Sequence, residues 1–312
     1  MHAIEKARAA TPELDQVPLP GSGATPDRWK ALAAWGREDL SVARLVEGHL
    51  DARAILAELG HPAPDGLLGV WAAEPGRLRA RPDGPGWRLE GEKGWCSGSL
   101  GLDAALVTAT APDGPRLFLL PPDVLEVVAG SWTPMGMEAT RSETLLFTDV
   151  PVPASGAVGR PDAYVTRPGF GHGGGGVAAV WWGGADAVAD GLRDAAAAQP
   201  DPPPEVLAAL GEATAVLAGA WALLERAAGE IDARPDDRVA SDRRALVVRL
   251  GVERAARAVL DLTTRALGAS ALCHRPDHAG RVADLTVYLS QLKPFSAAVA
   301  LACHDLTAGD LP

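Results

Sequence analysis

The spacing of apolar residues changes character three times along the chain. From Trp29 to Trp35 and again from Leu40 to Leu59, apolar residues recur at every third or fourth position, among them Val42, Leu45, Val46, Leu50, Ile55 and Leu56. That period predicts one or two amphipathic helices ended by Gly60. Thr25-Pro26-Asp27 reads as the helix start, with Thr25 as N-cap and Pro26 in the first turn. Residues 1–26 show no sustained period and read as a short arm. Between Leu67 and Pro153 the apolar runs shorten to Leu67–Trp71, Ala105–Val107 and Leu117–Leu120, and Pro-Asp-Gly turns stand at 82–84 and 112–114. Turn chemistry between short apolar runs predicts antiparallel hairpins forming a small barrel or sandwich. Alternation from Glu143 to Thr148 predicts a half-buried strand, and Pro151 and Pro153, which lack the N–H of a ladder, make it an edge strand leaving the sheet.

After Phe170 the pattern becomes helical again. A glycine run at 171–176, broken only by His172, precedes an Ala-rich helix from Val177 to about Ala198. Pro200–Pro204 separates it from a second through Leu207, Leu210, Leu217, Trp221 and Leu224 to Ile231; a third runs from Val239 to Leu267 and a fourth from Arg281 to Leu306, bent near Pro294. Four long helices with short joints predict an α-bundle. The whole is an α+β chain in three parts: an abbreviated N-terminal helical segment (1–66), a β-domain (67–160) and a C-terminal four-helix bundle (161–312).

Two motifs carry more than periodicity. The first is Gly91-Glu92-Lys93-Gly94-Trp95-Cys96-Ser97; the second runs from Met135-Gly136-Met137 through Thr140-Arg141-Ser142 to Phe147-Thr148-Asp149-Val150-Pro151-Val152-Pro153 and Val158-Gly159. An indole and a hydroxyl two residues apart on a strand point to one face, so Trp95 and Ser97 suit a flat ring and its polar edge, and Thr140 and Ser142 form a second such pair. The plain alternative is a core tryptophan followed by a turn serine.

Together the motifs resemble the acyl-CoA dehydrogenase family over roughly residues 65–290. The resemblance implies a β-domain between helical segments, an FAD cofactor lying against Trp95, Ser97, Thr140 and Ser142, and assembly through the C-terminal helices as a homodimer or homotetramer, with a hetero-oligomer as the alternative. In this family a glutamate removes the α-proton of an acyl thioester while hydride leaves for the flavin. Here no glutamate follows Glu253 and none lies between Glu143 and Glu205, so both customary places are empty, and Leu289 stands where one is expected. His172 is the nearest ionisable substitute, with an ordinary pKa of about 6.5 suited to a general base; the plain alternative is a solvated loop side chain. The family's Arg-x-x-Phe-Gly motif, which reaches the cofactor phosphates of a neighbouring subunit, is also missing, with Arg243, Arg244 and Arg249 as stand-ins. Three functions follow: a flavoprotein oxidoreductase acting on an acyl thioester or related small acyl substrate without the usual glutamate, a non-catalytic partner subunit, or a flavin monooxygenase-type relative.

Other chemistries find less support. The glycine run lacks the Lys-Ser or Lys-Thr of a phosphate loop and reads as a flexible linker or as close helix packing, with flavin or anion contact as the alternative. Cys273, His274 and His278 lack a second ligand pair, and Cys303-His304-Asp305 would point in different directions on a helix, so no metal is expected. The chain has 312 residues, 47% of them hydrophobic, and a net charge of −11. An acidic surface disfavours nucleic acid and anionic membrane as partners. The three cysteines are scattered, no signal-like start is present, and the apolar runs read as too short to span a bilayer. A cytoplasmic protein with a small-molecule substrate is the expectation.

Overall fold

A computed structural model of the chain describes residues 2–73 and 77–308. Helices α1 (His2–Ala9), α2 (Thr11–Leu14), α3 (Thr25–Glu38) and α4 (Leu40–Glu58) come first. Strands follow: β1 (Leu68–Trp71), β2 (Leu78–Asp83), β3 (Gly86–Cys96), β4 (Ala104–Ala111), β5 (Gly114–Leu120), β6 (Glu126–Val127), β7 (Glu143–Val152) and β8 (Ala157–Val158). Helices α5 (Ala163–Thr166), α6 (Gly169–Ala197), α7 (Pro204–Ala233), α8 (Arg238–His274), α9 (Pro276–Leu289) and α10 (Pro294–Ala308) complete the chain. The contacts divide it into two compact units. The first comprises Met1–Val17, Arg44–Pro134 and Glu138–Phe170; the second comprises Pro18–Ala43, Met135–Met137 and Gly171–Pro312. Helices α1 and α2 fall in the first unit and α3 in the second, and α4 has residues in both.

In the first unit the strands form one sheet in the order β6-β7-β3-β2-β4-β5-β8. The two turn motifs close hairpins: Gly84-Pro85 joins Asp83 to Gly86, with Gly84 at φ +56° as the first central residue of a primed turn, and Pro112-Asp113 joins Ala111 to Gly114. The sheet is mixed and not purely antiparallel, because β1 lies parallel to the first half of β4 (Leu68 opposite Ala104) and β2 meets β4 in parallel at Thr110. The edge expectation for 143–148 is also revised. β7 continues through Pro151 to Val152 along β3, and it tolerates proline because β6 covers only Leu145 and Leu146, leaving the rest of that side without a ladder to supply.

Residues 1–26 are not a loose arm. Ala3, Ile4 and Ala7 form a short apolar stripe that buries α1, Arg8 pairs with Asp103, and Leu14 is buried in α2. The C-terminal half of α4 covers the sheet, with Ala52, Ile55 and Leu56 packed on Leu68, Leu106, Leu117 and Val158. His49, 1% exposed, ties these parts together: Nδ1 accepts the Leu68 N–H at 3.1 Å, so Nε2 carries the proton offered to Asp15.

The second unit is a helical bundle in which the glycine run begins a helix. α6 starts at Gly169, and its small residues allow close approach to its neighbours: a Cβ on Gly175 would stand 2.4 Å from the Trp29 ring, and one on Gly183 would stand 2.0 Å from the Ala33 carbonyl oxygen. From the other side, a Cβ on Gly36 of α3 would meet the Val180 carbonyl oxygen at 2.3 Å. The run is therefore a packing device, one of its two expected roles. Thr25 does not cap α3 with its side chain; its Oγ1 donates to Asp232 of α7 at 2.6 Å and accepts from the Gly21 N–H at 2.8 Å. The fourth predicted helix is two helices, α9 and α10, since the chain turns at Ser290–Lys293 and Pro294 opens a new helix instead of bending an old one. α8 changes course where predicted, after Leu267, with Gly268 at φ +64°. By length and composition α7 is long and apolar enough to cross a membrane, contrary to the reading of its runs as too short, and 28% of its most apolar window is buried. It packs in the bundle, where its Leu217 carbonyl accepts from Trp182 Nε1 at 2.8 Å.

Candidate functional site

The site predicted on β3 and β7 is built around an irregularity. Lys93 lies opposite Leu145, but Cys96 lies opposite Glu143, so β3 carries one residue more than β7 between those pairs. This is a β-bulge, and Trp95 sits in it with φ +62°. The bulge breaks the alternation that would have put Trp95 and Ser97 on one face: Trp95 is turned out, 57% exposed, while Ser97 is buried. Two contacts anchor the strand beneath. Lys93 is fully buried and its Nζ donates to Thr108 Oγ1 at 2.8 Å and to the Thr108 carbonyl at 2.9 Å, and Trp71 Nε1 donates to the Ser97 carbonyl at 2.9 Å. Burial pushes the Cys96 thiol up to about 12, against the opposing pull of the Lys93 ammonium, so that sulfur is a packing group and not a nucleophile.

Three of the four predicted cofactor contacts form a chain of hydroxyls. Ser142 Oγ lies 2.8 Å from Ser97 Oγ and 2.8 Å from Thr140 Oγ1. All three are buried, and the Gly98 N–H donates to the Thr140 carbonyl at 2.8 Å, which locks the two motifs together. Ser142 opens onto a cleft of about 180 Å³ that is also lined by Trp95, Glu92, Ser131, Trp132 and Thr144. Ser97 and Thr140 stand behind Ser142 and hold it. Trp132 meets Trp95 edge to face, with centroids 6.0 Å apart, and its Nε1 donates to the Glu138 carbonyl at 3.1 Å. The Thr144 N–H donates to Ser131 Oγ at 2.9 Å. Thr144 was legible as the next residue on Ser142's face of an alternating strand; Trp132 and Ser131 come from a loop whose course no period announces.

The remaining sequence candidates lie elsewhere. His172 is in α6 of the second unit, 4% exposed; its Nε2 is 3.0 Å from the Pro235 carbonyl, which can only accept, and its Nδ1 is 3.2 Å from Ser241 Oγ. It is neither solvated nor on a loop, and Nε2 must carry the proton in the neutral ring. Arg244 is buried against Glu230, Arg243 pairs with Asp305 at 2.6 Å, and Arg249 stacks 5.2 Å above the Trp181 ring. Cys273 and Cys303 are exposed, His278 is buried against Gly191, and no group of three or more potential metal ligands occurs among the described residues.

No protein-family model matches the sequence, and no curated protein resembles it closely enough to count as a match. Solved structures do resemble it. Butyryl-CoA dehydrogenase from Megasphaera elsdenii superposes with a TM-score of 0.78 at 15% identity, over 90% of this chain and 82% of that one. The fold is that of an acyl-CoA dehydrogenase. Other structures with this acyl-CoA dehydrogenase fold match equally well. The dibenzothiophene monooxygenase TdsC from Paenibacillus sp. A11-2, in complex with FMN and indole, gives a TM-score of 0.80 at 20% identity, over 92% of this chain and 84% of that one. KijD3, in complex with FMN and a dTDP-linked amino sugar, gives 0.76 at 20% identity, over 99% and 92%.

Proposed function

We propose that the chain is a flavin-dependent oxidoreductase of the oxygen-using type, working on the acyl-CoA dehydrogenase fold without the dehydrogenase glutamate. The observation that carries this reading is the cleft itself. An exposed indole, Trp95, stands beside Ser142 Oγ, which is held from behind by Ser97 and Thr140. A flat heteroaromatic ring gains from stacking on indole, and its ring nitrogens and carbonyls need fixed polar partners, so these residues fit a flavin. Bound in reduced form, the flavin supplies the two electrons with which dioxygen is divided between an oxygenated product and water.

The residues do the rest. Trp95 covers one face of the ring. Ser142 fixes its polar edge, and the chain Ser97–Ser142–Thr140 lets a proton pass between hydroxyl oxygens. Trp132 lines the same cleft and braces the Trp95 ring edge to face. His172 is assigned a packing role in preference to that of base, because both of its ring nitrogens lie within hydrogen-bond reach of groups inside the bundle. The comparisons with FMN-bound TdsC and FMN-bound KijD3 support a flavin, and the resemblance to acyl-CoA dehydrogenases supports FAD as the form to try beside FMN. We further propose a cytoplasmic homo-oligomer assembled through the C-terminal helices.

The purified protein is to be titrated with FMN and FAD and then given a reduced-flavin supply. Ring binding with oxygen consumption, and no bleaching by an acyl-CoA, supports the proposal. Bleaching by an acyl-CoA would return it to thioester dehydrogenation, and a chain that takes up neither flavin would be the non-catalytic partner subunit. Ser142→Ala is expected to weaken flavin binding about tenfold, the equivalent of one hydrogen bond of roughly 1–1.5 kcal/mol.

A further inference from the structure

We infer that Arg77 is the phosphate anchor of this cleft and that the ligand it selects is a flavin nucleotide over the bare ring system. The inference rests on the flavin reading above and adds to it the residue that recognises the charged end of the ligand. Arg77 lines the same cleft as Trp95, Ser142 and Thr144, and it is the cation among the lining residues. Its place is fixed by the backbone. Leu78 lies opposite Gly91, and a Cβ on Gly91, at φ +122°, would stand 2.2 Å from the Arg77 carbonyl oxygen. Only glycine permits that approach, so the start of β2 is held against β3 a short way along the strand from the Trp95 bulge.

Arg77 is exposed, and among the described residues no ion pair or side-chain hydrogen bond engages its guanidinium. Elsewhere on the same sheet Arg81 pairs with Asp149, Arg88 with Asp83 and Arg116 with Asp113. The arginines nominated from the sequence for phosphate contact are already engaged, Arg244 with Glu230, Arg243 with Asp305 and Arg249 with the Trp181 ring. A planar fork of donors beside an aromatic and hydroxyl-lined cleft suits a phosphate, which it can grip through two parallel hydrogen bonds. The acidic residue of the lining, Glu92, cannot contact a phosphate favourably. Its carboxylate suits the neutral hydroxyls of the ribityl chain that joins ring to phosphate, to which it can only accept.

Riboflavin and FMN differ by the phosphate alone, so the pair isolates this contact. Dissociation constants of riboflavin, FMN and FAD are to be measured by fluorescence quenching for the wild type, Arg77→Met and Arg77→Lys. The wild type is expected to favour FMN over riboflavin by about tenfold or more, the value of a charge-assisted pair. Arg77→Met is expected to remove that preference, weakening FMN and FAD by a similar factor while leaving riboflavin unchanged, and Arg77→Lys to restore part of it. Added salt should weaken FMN binding by the wild type more than by Arg77→Met. Unchanged FMN affinity in Arg77→Met overturns the inference while leaving the flavin reading standing, as does an equal loss of riboflavin and FMN. A wild type that binds none of the three overturns the flavin reading itself.

Discussion

Asp284 shows at the residue scale how a buried carboxylate can work against the fold that holds it. Its pKa is raised, chiefly by burial; the Met137 N–H, which donates to its Oδ1, pulls the other way, and the neighbouring Asp39 carboxylate adds to the rise. An acid with a raised pKa binds its proton more tightly folded than unfolded. Its contribution is therefore greatest at low pH and is lost as pH rises through the ordinary carboxylate value to the raised one. Asp284→Asn keeps an oxygen for the Met137 N–H and removes the charge. It is expected to raise the urea midpoint at pH 7.5 and to leave it nearly unchanged at pH 4, where more of the wild-type residue is already protonated. A lower midpoint at pH 7.5 would mean that the carboxylate is needed charged. Trp95 teaches the complementary lesson. The sequence names it as a cofactor residue, but the left-handed backbone that turns it out of the strand, φ +62°, is set by the pairing of β3 with β7 and not by any feature of Trp95 itself.

At the scale of elements, the seam between α3 and α6 is the most constrained part of the second unit. Helix axes approach this closely only when side chains are absent from the contact, and here Gly36 and Gly183 face backbone carbonyl oxygens directly. A backbone atom cannot rotate away as a side chain can. Gly183→Ala is thus expected to destabilise by about 1–3 kcal/mol through overpacking, more than the ~1 kcal/mol gained in helix propensity. Gly280→Ala on α9 is the matched control, since nothing lies within 4 Å of its would-be Cβ, and it should stabilise by up to ~1 kcal/mol. Chemical denaturation of the two variants checks both signs. If both stabilise, the seam is looser than its geometry requires.

At the scale of the whole molecule, one apolar face of α10 is left uncovered by the described residues. Phe295, Val299 and Leu306 follow one another at helical spacing and are 83%, 49% and 71% exposed. Large apolar side chains grouped in this way on an acidic protein mark a contact surface. The proposed homo-oligomer would use it, because two copies each carrying −11 repel except where they meet through an uncharged face. Phe295→Glu combined with Leu306→Glu is expected to convert the assembly to monomer in light scattering without changing the melting of the monomer unit. Wild-type protein that is already monomeric at tens of micromolar would remove the oligomer from the proposal.

The sequence by itself determined the α+β class, the positions of α4 and α7, the C-terminal end of α6, the two hairpin turns, the break near Gly268 and the pair of motifs that meet at Ser97, Thr140 and Ser142. These are local signals: a period, a proline, a turn glycine or a short motif acts on its own neighbours in the chain. Tertiary structure decided the rest. It set the parallel pairing of β1 with β4, the bulge at Trp95, the burial of His172 and the division of the N-terminal helices between two units. It also placed Arg77 and Trp132 around Ser142. Those features arise from contacts between residues far apart in sequence. Trp132 and Trp95 are an example: only the folded chain brings their rings to 6.0 Å.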